Sequence, residues 1–550
     1  MKLLRPTRTA LILAILVSFV LPGASGGAMA QDDGWEPAVP GIEGIEYKEF
    51  RLADPNRVFV SRMDRSNPNV TLEGTLANNY LYNGRATVRQ MFSAYEGTLG
   101  FWGKQWGTRM DAVVGINGFF TETEQDPSLR SGQMQSGWYI KRFDTCHTTT
   151  GFLWNQNRQA FIAGGVTHVA SKQNIVFLDY GSGTQGQNIQ GVNRGRSEGE
   201  IVMYTSHYGA STRTDETGIE IVIDVERPVG SLPTVQGIIR QVRPLGGNTP
   251  IQFDQVVVSG TGDFVEILAA RAKVGERVAI SQEISYCTGY VPREERYDWT
   301  NAYTAIGVDK YVLKGGVINV QQDVSQRQPM TAIAYNADYI YFIVIDGRHP
   351  GVSRGMSNYE IAQFAKNTLQ ATDAATLDGG GSSTMVVNGT VVNNTTCNFT
   401  ADCTNLQLPT GQLRDAEIIT ETSPAPGESI DMGLWSDDIQ AVEAIVPNGL
   451  LMVVVEPPLR FNAFPAGSTA QVFTNDFRLG PGRNYDRVAG GPDFRGGETV
   501  QVVENTNNMN GIFVHGYYWW KVSFAGQEGW VPLDVTQADL PNQVYLPVIW

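Results

Sequence analysis

An α+β, β-rich chain with few helices is the fold class that this sequence predicts, with a mixed-sheet main domain and a small C-terminal β-barrel. Three observations predict it. Sixty glycines, with many Thr, Asn and Val residues, favour short strands joined by tight loops. Runs such as Ile219–Asp224 and Tyr339–Ile345 have strand length, β-branched and aromatic composition, and Gly or Asp at their ends. A capped amphipathic helix is read in the stretch that starts at Ser357, and few others are expected. The 550 residues exceed one ordinary core, so about two to four domains are expected. Hydrophobic content of 42% against 18% charged residues marks a globular chain rather than a disordered one.

Taken in order, residues 1–30 read as a secretory signal. Lys2, Arg5 and Arg8 precede an apolar run from Leu11 to Leu21, and Ala28-Met-Ala30 offers a small-x-small cleavage site. That run is short for a bilayer, and no later run is long enough to span one, so no membrane span is expected once the signal is removed. The expected location is extracellular or cell-envelope associated. Residues 31–99 read as an N-terminal extension and first strands, and 100–420 as the main domain, with an all-β portion at about 152–290. In that portion His168 and His207 are isolated and read as structural histidines. Residues 421–465 read as a linker, on the composition of Glu421-Thr-Ser-Pro-Ala-Pro-Gly-Glu428. Residues 466–537, with short strands and aromatic punctuation, have the size of a small barrel. The tail, 538–550, ends in the apolar Val544–Trp550, for which the residues give no physical account.

The formal net charge is −15, and more negative without the basic signal. This argues against nucleic acid or an anionic membrane as the main partner. Four cysteines allow three pairings. Secretion makes disulfides reasonable, and the expected pairs are Cys397–Cys403, six apart in one loop, and Cys146–Cys287. Their spacing lacks CxxC pairs and has no clustered His, so no metal or other cofactor is expected.

The stretch richest in chemistry is Thr376-Leu-Asp-Gly-Gly-Gly-Ser-Ser-Thr-Met-Val-Val-Asn-Gly-Thr-Val-Val392. A short strand ends at Asp378, a glycine loop follows, and Asn388-Gly389 predicts a two-residue hairpin turn. Upstream, Tyr339–Ile345 ends in Asp346-Gly-Arg348. Between the two, Ser357 and Glu360 form a capping box for a helix whose buried face is Ile361, Phe364, Ala365 and Leu369. If the two strands run parallel, both Asp residues emerge at one sheet edge. Met110–Asn117 reads as a further buried strand, ending at Asn117-Gly118 before two Phe residues; a plain turn is the simpler reading of that end.

Asn117-Gly-Phe-Phe120, Asp346-Gly-Arg348, Ser353-Arg-Gly-Met356, Glu360-Ile-Ala362 and Asp378-Gly-Gly-Gly-Ser-Ser383, in this order, resemble the motifs of the phosphodiester glycosidase family, over roughly residues 100–420. The Cys397/Cys403 pair and Arg414 also resemble family features. Two departures stand out. Met330 occupies the place of a family arginine, with Arg327 three residues away as a substitute, and Asn393-Asn-Thr-Thr replaces a usual Pro-Ser-Asp. Residues 466–537 resemble a bacterial SH3-like domain, through Arg478-Leu-Gly-Pro-Gly-Arg-Asn-Tyr485 and Gly529-Trp-Val531.

The resemblance implies a secreted hydrolase of sugar-1-phosphodiester linkages of the N-acetylglucosamine-1-phosphate type, in glycans or envelope glycopolymers. Such a reaction needs a carboxylate to activate water or attack the sugar, and cationic or N–H groups for the phosphate. Asp378, Asp346 and Glu360 are the catalytic candidates. Asn117, Arg348, Ser353, Arg354, Gly379, Gly380, Gly381, Ser382, Ser383 and Arg414 are the substrate-binding candidates. Each has a plainer role open to it: Glu360 as a helix cap, Asp346 as a turn brace, Arg354 as a solvated charge, the serines as loop-fixing hydroxyls. The alternative function is a non-catalytic envelope glycan-binding protein. Peptidoglycan is a second expected partner, through the SH3-like domain.

Overall fold

The computed structural model of the chain describes residues 34–82, 84–121, 129–146, 150–181, 186–230, 234–289, 291, 296–348, 351–395, 443–505 and 507–533. The expected signal, Cys397, Cys403, Arg414, the Glu421–Glu428 stretch and the tail lie outside them. The chain falls into two compact units, Met1–Trp35 and Glu36–Trp550, and every element below belongs to the second.

The fold is strand-rich, with three α-helices among the described residues. Strand pairing there is antiparallel except for the parallel pair Gly191–Val192 with Ile201–Thr205. Two sheets face each other across the main core. The first places Tyr339–Ile345, Met330–Tyr335 and Asp373–Thr376 side by side, flanked by Asn56–Asp64 on one side and Tyr311–Lys314 on the other. The second runs Met385–Val387, Gln105–Asn117, Asn448–Glu456 and Val70–Leu76. Phe59, Ile333, Phe342 and Val344 from the first pack with Ile116, Met385, Leu451 and Met452 from the second in one buried cluster. Continuously apolar strands such as Tyr339–Ile345 are therefore covered on both faces.

Residues 448–456 correct the reading of 421–465 as a linker. Leu450, Leu451, Met452 and Val453 are fully buried, in a strand paired on both edges, to Val70–Leu76 and to Gln105–Asn117. The Pro- and Glu-rich composition that suggested a linker ends at Glu428, and the apolar run beyond it is a central strand.

The portion read as all-β holds an eight-stranded sheet between Gln173 and Gln282, but it also carries the α-helix Phe264–Arg271, whose short, mostly apolar stretch gave no strand or helix signal strong enough to be read. Val166–Thr167 and Ser285–Tyr286 pair just outside the sheet, and the Cys146–Cys287 disulfide lies beside that pair, with Cα atoms 5.5 Å apart. This expected pairing closes a sequence separation of 141 residues. Restricting so long a loop in the unfolded chain is worth about 4–5 kcal/mol in the chain-entropy account. The double variant Cys146→Ala/Cys287→Ala is therefore expected to lose stability of that order, seen as a lower urea midpoint in equilibrium unfolding.

The C-terminal strands form a five-stranded antiparallel sheet, from Thr469–Val472 to Gln527–Pro532. It is docked rather than held apart. Ile512, Trp519 and Trp530 share a buried cluster with Trp106 of the main domain and Ile221, Phe253 and Val258 of the eight-stranded region. Arg240 reaches both Asp224 and Glu528, at 3.2 Å each. Among the described residues no helix is long and apolar enough to cross a membrane.

Candidate active site

Met330–Tyr335 lies between Tyr339–Ile345 and Asp373–Thr376 and is antiparallel to both. The two outer strands therefore run parallel, two strand spacings or roughly 10 Å apart. Asp346 and Asp378 leave the sheet at the same edge, as the order of elements predicts, with Met330 starting the strand between them. The crossover joining the outer strands carries the Asn358–Asn367 helix. Its capping box is present, with Ser357 accepting from the Glu360 N–H and Glu360 accepting from the Ser357 N–H.

Glu360 also receives Arg327 Nε at 3.0 Å, so the helix-capping role of this carboxylate is the one filled. Arg327 is held as well by Asp54, at 3.0 Å. Both of its carboxylate partners therefore hold it away from the role of a phosphate-binding substitute.

Two glycines make this edge possible by close approach. A Cβ on Gly347 would lie 2.5 Å from the Pro329 nitrogen, and one on Gly379 would lie 2.9 Å from Met330 Sδ. A side chain at Gly347 would meet the Gln328–Pro329 backbone and force that segment to shift, whereas one at Gly379 would first displace the flexible Met330 side chain.

Asp346 is 2% exposed. Its Oδ1 accepts from Asn393 Nδ2 at 3.3 Å and from the Asn394 N–H at 3.0 Å, and Arg57 Nη1 stands 3.9 Å from Oδ2. Burial pushes its pKa up to about 7, against the partial relief given by Asn393 and Arg57. Asp378 is pushed up to about 6 by burial, opposed by hydrogen bonds from Ser382 and the Gly379 N–H. Both groups bind protons more tightly folded than unfolded. Their stabilisation is therefore complete below about pH 4 and is lost as the pH rises through about 6 and 7. Asp346→Asn is expected to flatten the fall in stability over that window by an amount on the order of a few kcal/mol, measured by urea unfolding across the pH range.

The other candidates divide. Asn117, fully buried, accepts from Thr331 Oγ1 at 2.7 Å and the Thr384 N–H at 3.1 Å, and donates to the Asp378 carbonyl at 2.8 Å. Its carboxamide braces the Asp378 loop, which is more than the plain turn the residues suggested; the Phe119–Phe120 pair is also present, with centroids 5.0 Å apart. Ser353 is buried and donates to the Asp346 carbonyl at 2.7 Å, so it pins the turn rather than facing a ligand. Arg354 is exposed and pairs with Asp54 at 3.3 Å. Arg348 is half-buried in a left-handed conformation, with φ of 61°. Of the three loop amides, Gly379 N–H serves Asp378 and Gly380 N–H donates to the Pro329 carbonyl at 2.8 Å. Ser382 bonds Asp378, and the buried Ser383 hydroxyl has no partner among the described residues.

Sequence reasoning missed Arg57 and Asn393 as neighbours of Asp346. Asn393 also donates to the Ser383 carbonyl at 3.0 Å and accepts from the Met385 N–H at 2.8 Å, so it ties the hairpin to the opposite strand end.

Residues 252–408 match the phosphodiester glycosidase family. The match includes Asp346, Glu360 and Asp378 and leaves out Asn117. No curated protein matches the chain. Among solved structures, a hypothetical protein from Synechocystis is 17% identical with a TM-score of 0.41, over 75% of this chain and 62% of that one. An exported protein from Burkholderia pseudomallei is 19% identical with a TM-score of 0.41, over 72% and 74%. The catalytic domain of zebrafish N-acetylglucosamine-1-phosphodiester α-N-acetylglucosaminidase, auto-inhibited by its pro-peptide, is 10% identical with a TM-score of 0.31, over 76% and 86%. The chain thus aligns with less than two thirds of the Synechocystis protein's length.

Proposed function

We propose that the protein is a secreted phosphodiester glycosidase that hydrolyses sugar-1-phosphodiester linkages in glycans or envelope glycopolymers. The observation that carries this reading is the pair of buried carboxyl groups, Asp346 and Asp378, brought to one sheet edge within a segment that matches the family. Asp378, with a pKa of about 6, is mostly ionised at neutral pH and takes the proton of an attacking water. Asp346, at about 7, retains a proton share that a departing phosphate oxygen can use. Arg348, and Arg354 if it leaves Asp54, supply positive charge for the phosphate, with the Gly381 amide and the Ser383 hydroxyl as further donors. Glu360, Asn117 and Ser353 act by holding this frame.

A second reading is favoured by one specific observation. Arg327 does not replace the guanidinium absent at Met330, because Glu360 and Asp54 hold it. A site short of one phosphate contact binds glycans without turning them over. Release of free sugar from UDP-N-acetylglucosamine and from a panel of sugar-1-phosphodiesters separates the two. Product supports the hydrolase; retention on purified cell walls without product from any substrate supports the binding protein. The docked C-terminal sheet is proposed to add wall affinity, and loss of retention on its removal would place that affinity there.

A further inference from the structure

The strand Asn56–Asp64 borders Tyr339–Ile345 in register, with Val58 opposite Ile345 and Phe59 opposite Val344. The next rung of that ladder sets Arg57 opposite Asp346, and the Asp346 N–H donates to the Arg57 carbonyl at 3.1 Å. Side chains alternate along a strand, so Arg57 and Asp346 emerge on the face that carries Phe59 and Val344. The Arg57 guanidinium lies 5.0 Å from the centre of the Phe59 ring, which keeps it on that face. Arg57 thus belongs to the sheet edge that holds the two carboxyl groups. It lies outside residues 252–408, so the family match does not assign it.

Its partners leave the outer end of the guanidinium open. Nε donates to Glu49 Oε1 at 2.9 Å. Among the described residues neither Nη donates a hydrogen bond, and Nη1 stands 3.9 Å from Asp346 Oδ2, beyond hydrogen-bond length. Neither Nη is a buried unpaired atom, and the side chain is 29% exposed, so both are open to solvent. Glu49 does not neutralise Arg57 alone, because the same Oε1 accepts from Arg51 Nε at 2.9 Å. Two guanidinium groups share one carboxylate and leave a positive charge. Asp346, at about 7, cancels only part of it near neutrality. Arg327 and Arg354, by contrast, are held by Glu360 and Asp54 and by Asp54. An open Nη fork with residual positive charge suits a phosphate, which accepts two parallel N–H bonds from one guanidinium.

We propose that Arg57 binds the phosphate of the substrate through its Nη pair, at the rung beside Asp346. This assignment rests on the reading of the site as one for sugar phosphodiesters. In hydrolysis the bond from the sugar carbon to oxygen breaks, and its electron pair stays on the phosphate oxygen, which Asp346 protonates. Water adds its hydroxyl to the sugar carbon and gives its proton to Asp378. Arg57 transfers no proton; it offsets the negative charge that builds on the phosphate as the bond breaks.

The test is calorimetric titration of the folded, full-length protein with sodium phosphate at neutral pH, alongside sugar release from UDP-N-acetylglucosamine and the sugar-1-phosphodiester panel. The parent protein is expected to bind phosphate saturably, with no such response to sodium chloride at equal ionic strength. Arg57→Gln is expected to weaken phosphate binding by about tenfold or more and to lower kcat/KM for the diester by a similar factor. Arg57→Lys keeps the charge without the fork and should recover part of both. A native near-UV circular dichroism spectrum certifies each variant as folded. No saturable phosphate binding by the parent protein, or equal binding by folded Arg57→Gln, overturns the inference. Phosphate binding that depends on Arg57, in a protein that releases no sugar, keeps this assignment and removes the hydrolase reading. Sugar release that Arg57→Gln leaves unchanged does the reverse.

Discussion

Asp378→Asn is expected to lower the rate of sugar release by about 10²–10⁴-fold, the range for loss of a positioned acid or base, while leaving the fold intact. The substitution removes the proton acceptor but keeps the shape of the side chain. It also removes a carboxyl whose burial opposes ionisation, so the variant should be no less stable than the parent at neutral pH. That pairing of outcomes is informative. A slow enzyme with an undiminished melting temperature assigns Asp378 to the chemistry. An active Asp378→Asn variant would remove it from the mechanism, and equal losses of activity and stability would assign it to the scaffold.

Asn117→Ala should instead lose stability and activity together. Three protein groups lose their partner at once: the Thr331 hydroxyl, the Thr384 N–H and the Asp378 carbonyl. Asn117 is fully buried, so water does not readily replace the amide. With about 1–3 kcal/mol for each buried group left unpaired, a loss of several kcal/mol is expected in urea unfolding. Activity should fall with it, because the Asp378 loop loses its brace. A variant with unchanged stability would show that the amide is dispensable to the fold.

The sheet edge was legible because its signals are local. An apolar run of strand length that stops at Asp and Gly identifies a strand end without knowledge of its neighbours. Ser357 with Glu360, and Asn388-Gly389, likewise act over two to four residues, and both features form as read: the helix is capped, and Asn388 and Gly389 take left-handed φ of 48° and 74° in the hairpin turn. The environment of Asp346 was not legible. Arg57 reaches it across paired strands, and Asn393 across 47 residues. The functional weight placed on Ser353 and Asn117 missed their use inside the protein for the same reason, since a hydroxyl or amide in a motif does not reveal which buried groups need it. Cys146–Cys287 was open to chemistry rather than pattern: four cysteines limit the pairings, and only the fold brings Val166 and Tyr286 into register beside it.

The strand Asn448–Glu456 has a consequence for the timing of folding. Its neighbours, Val70–Leu76 and Gln105–Asn117, precede it by more than three hundred residues, and Asn117 pairs in register with Gly449. During synthesis both neighbours therefore wait with exposed edges until the ribosome has made Asn448–Glu456. The Asp378 loop is braced from Asn117, so a competent site cannot be finished early either. Closing contacts this distant is slow, and unpaired edges attract other chains in the interval. A protein built this way reaches its working form only after residues 448–456 have been made and paired.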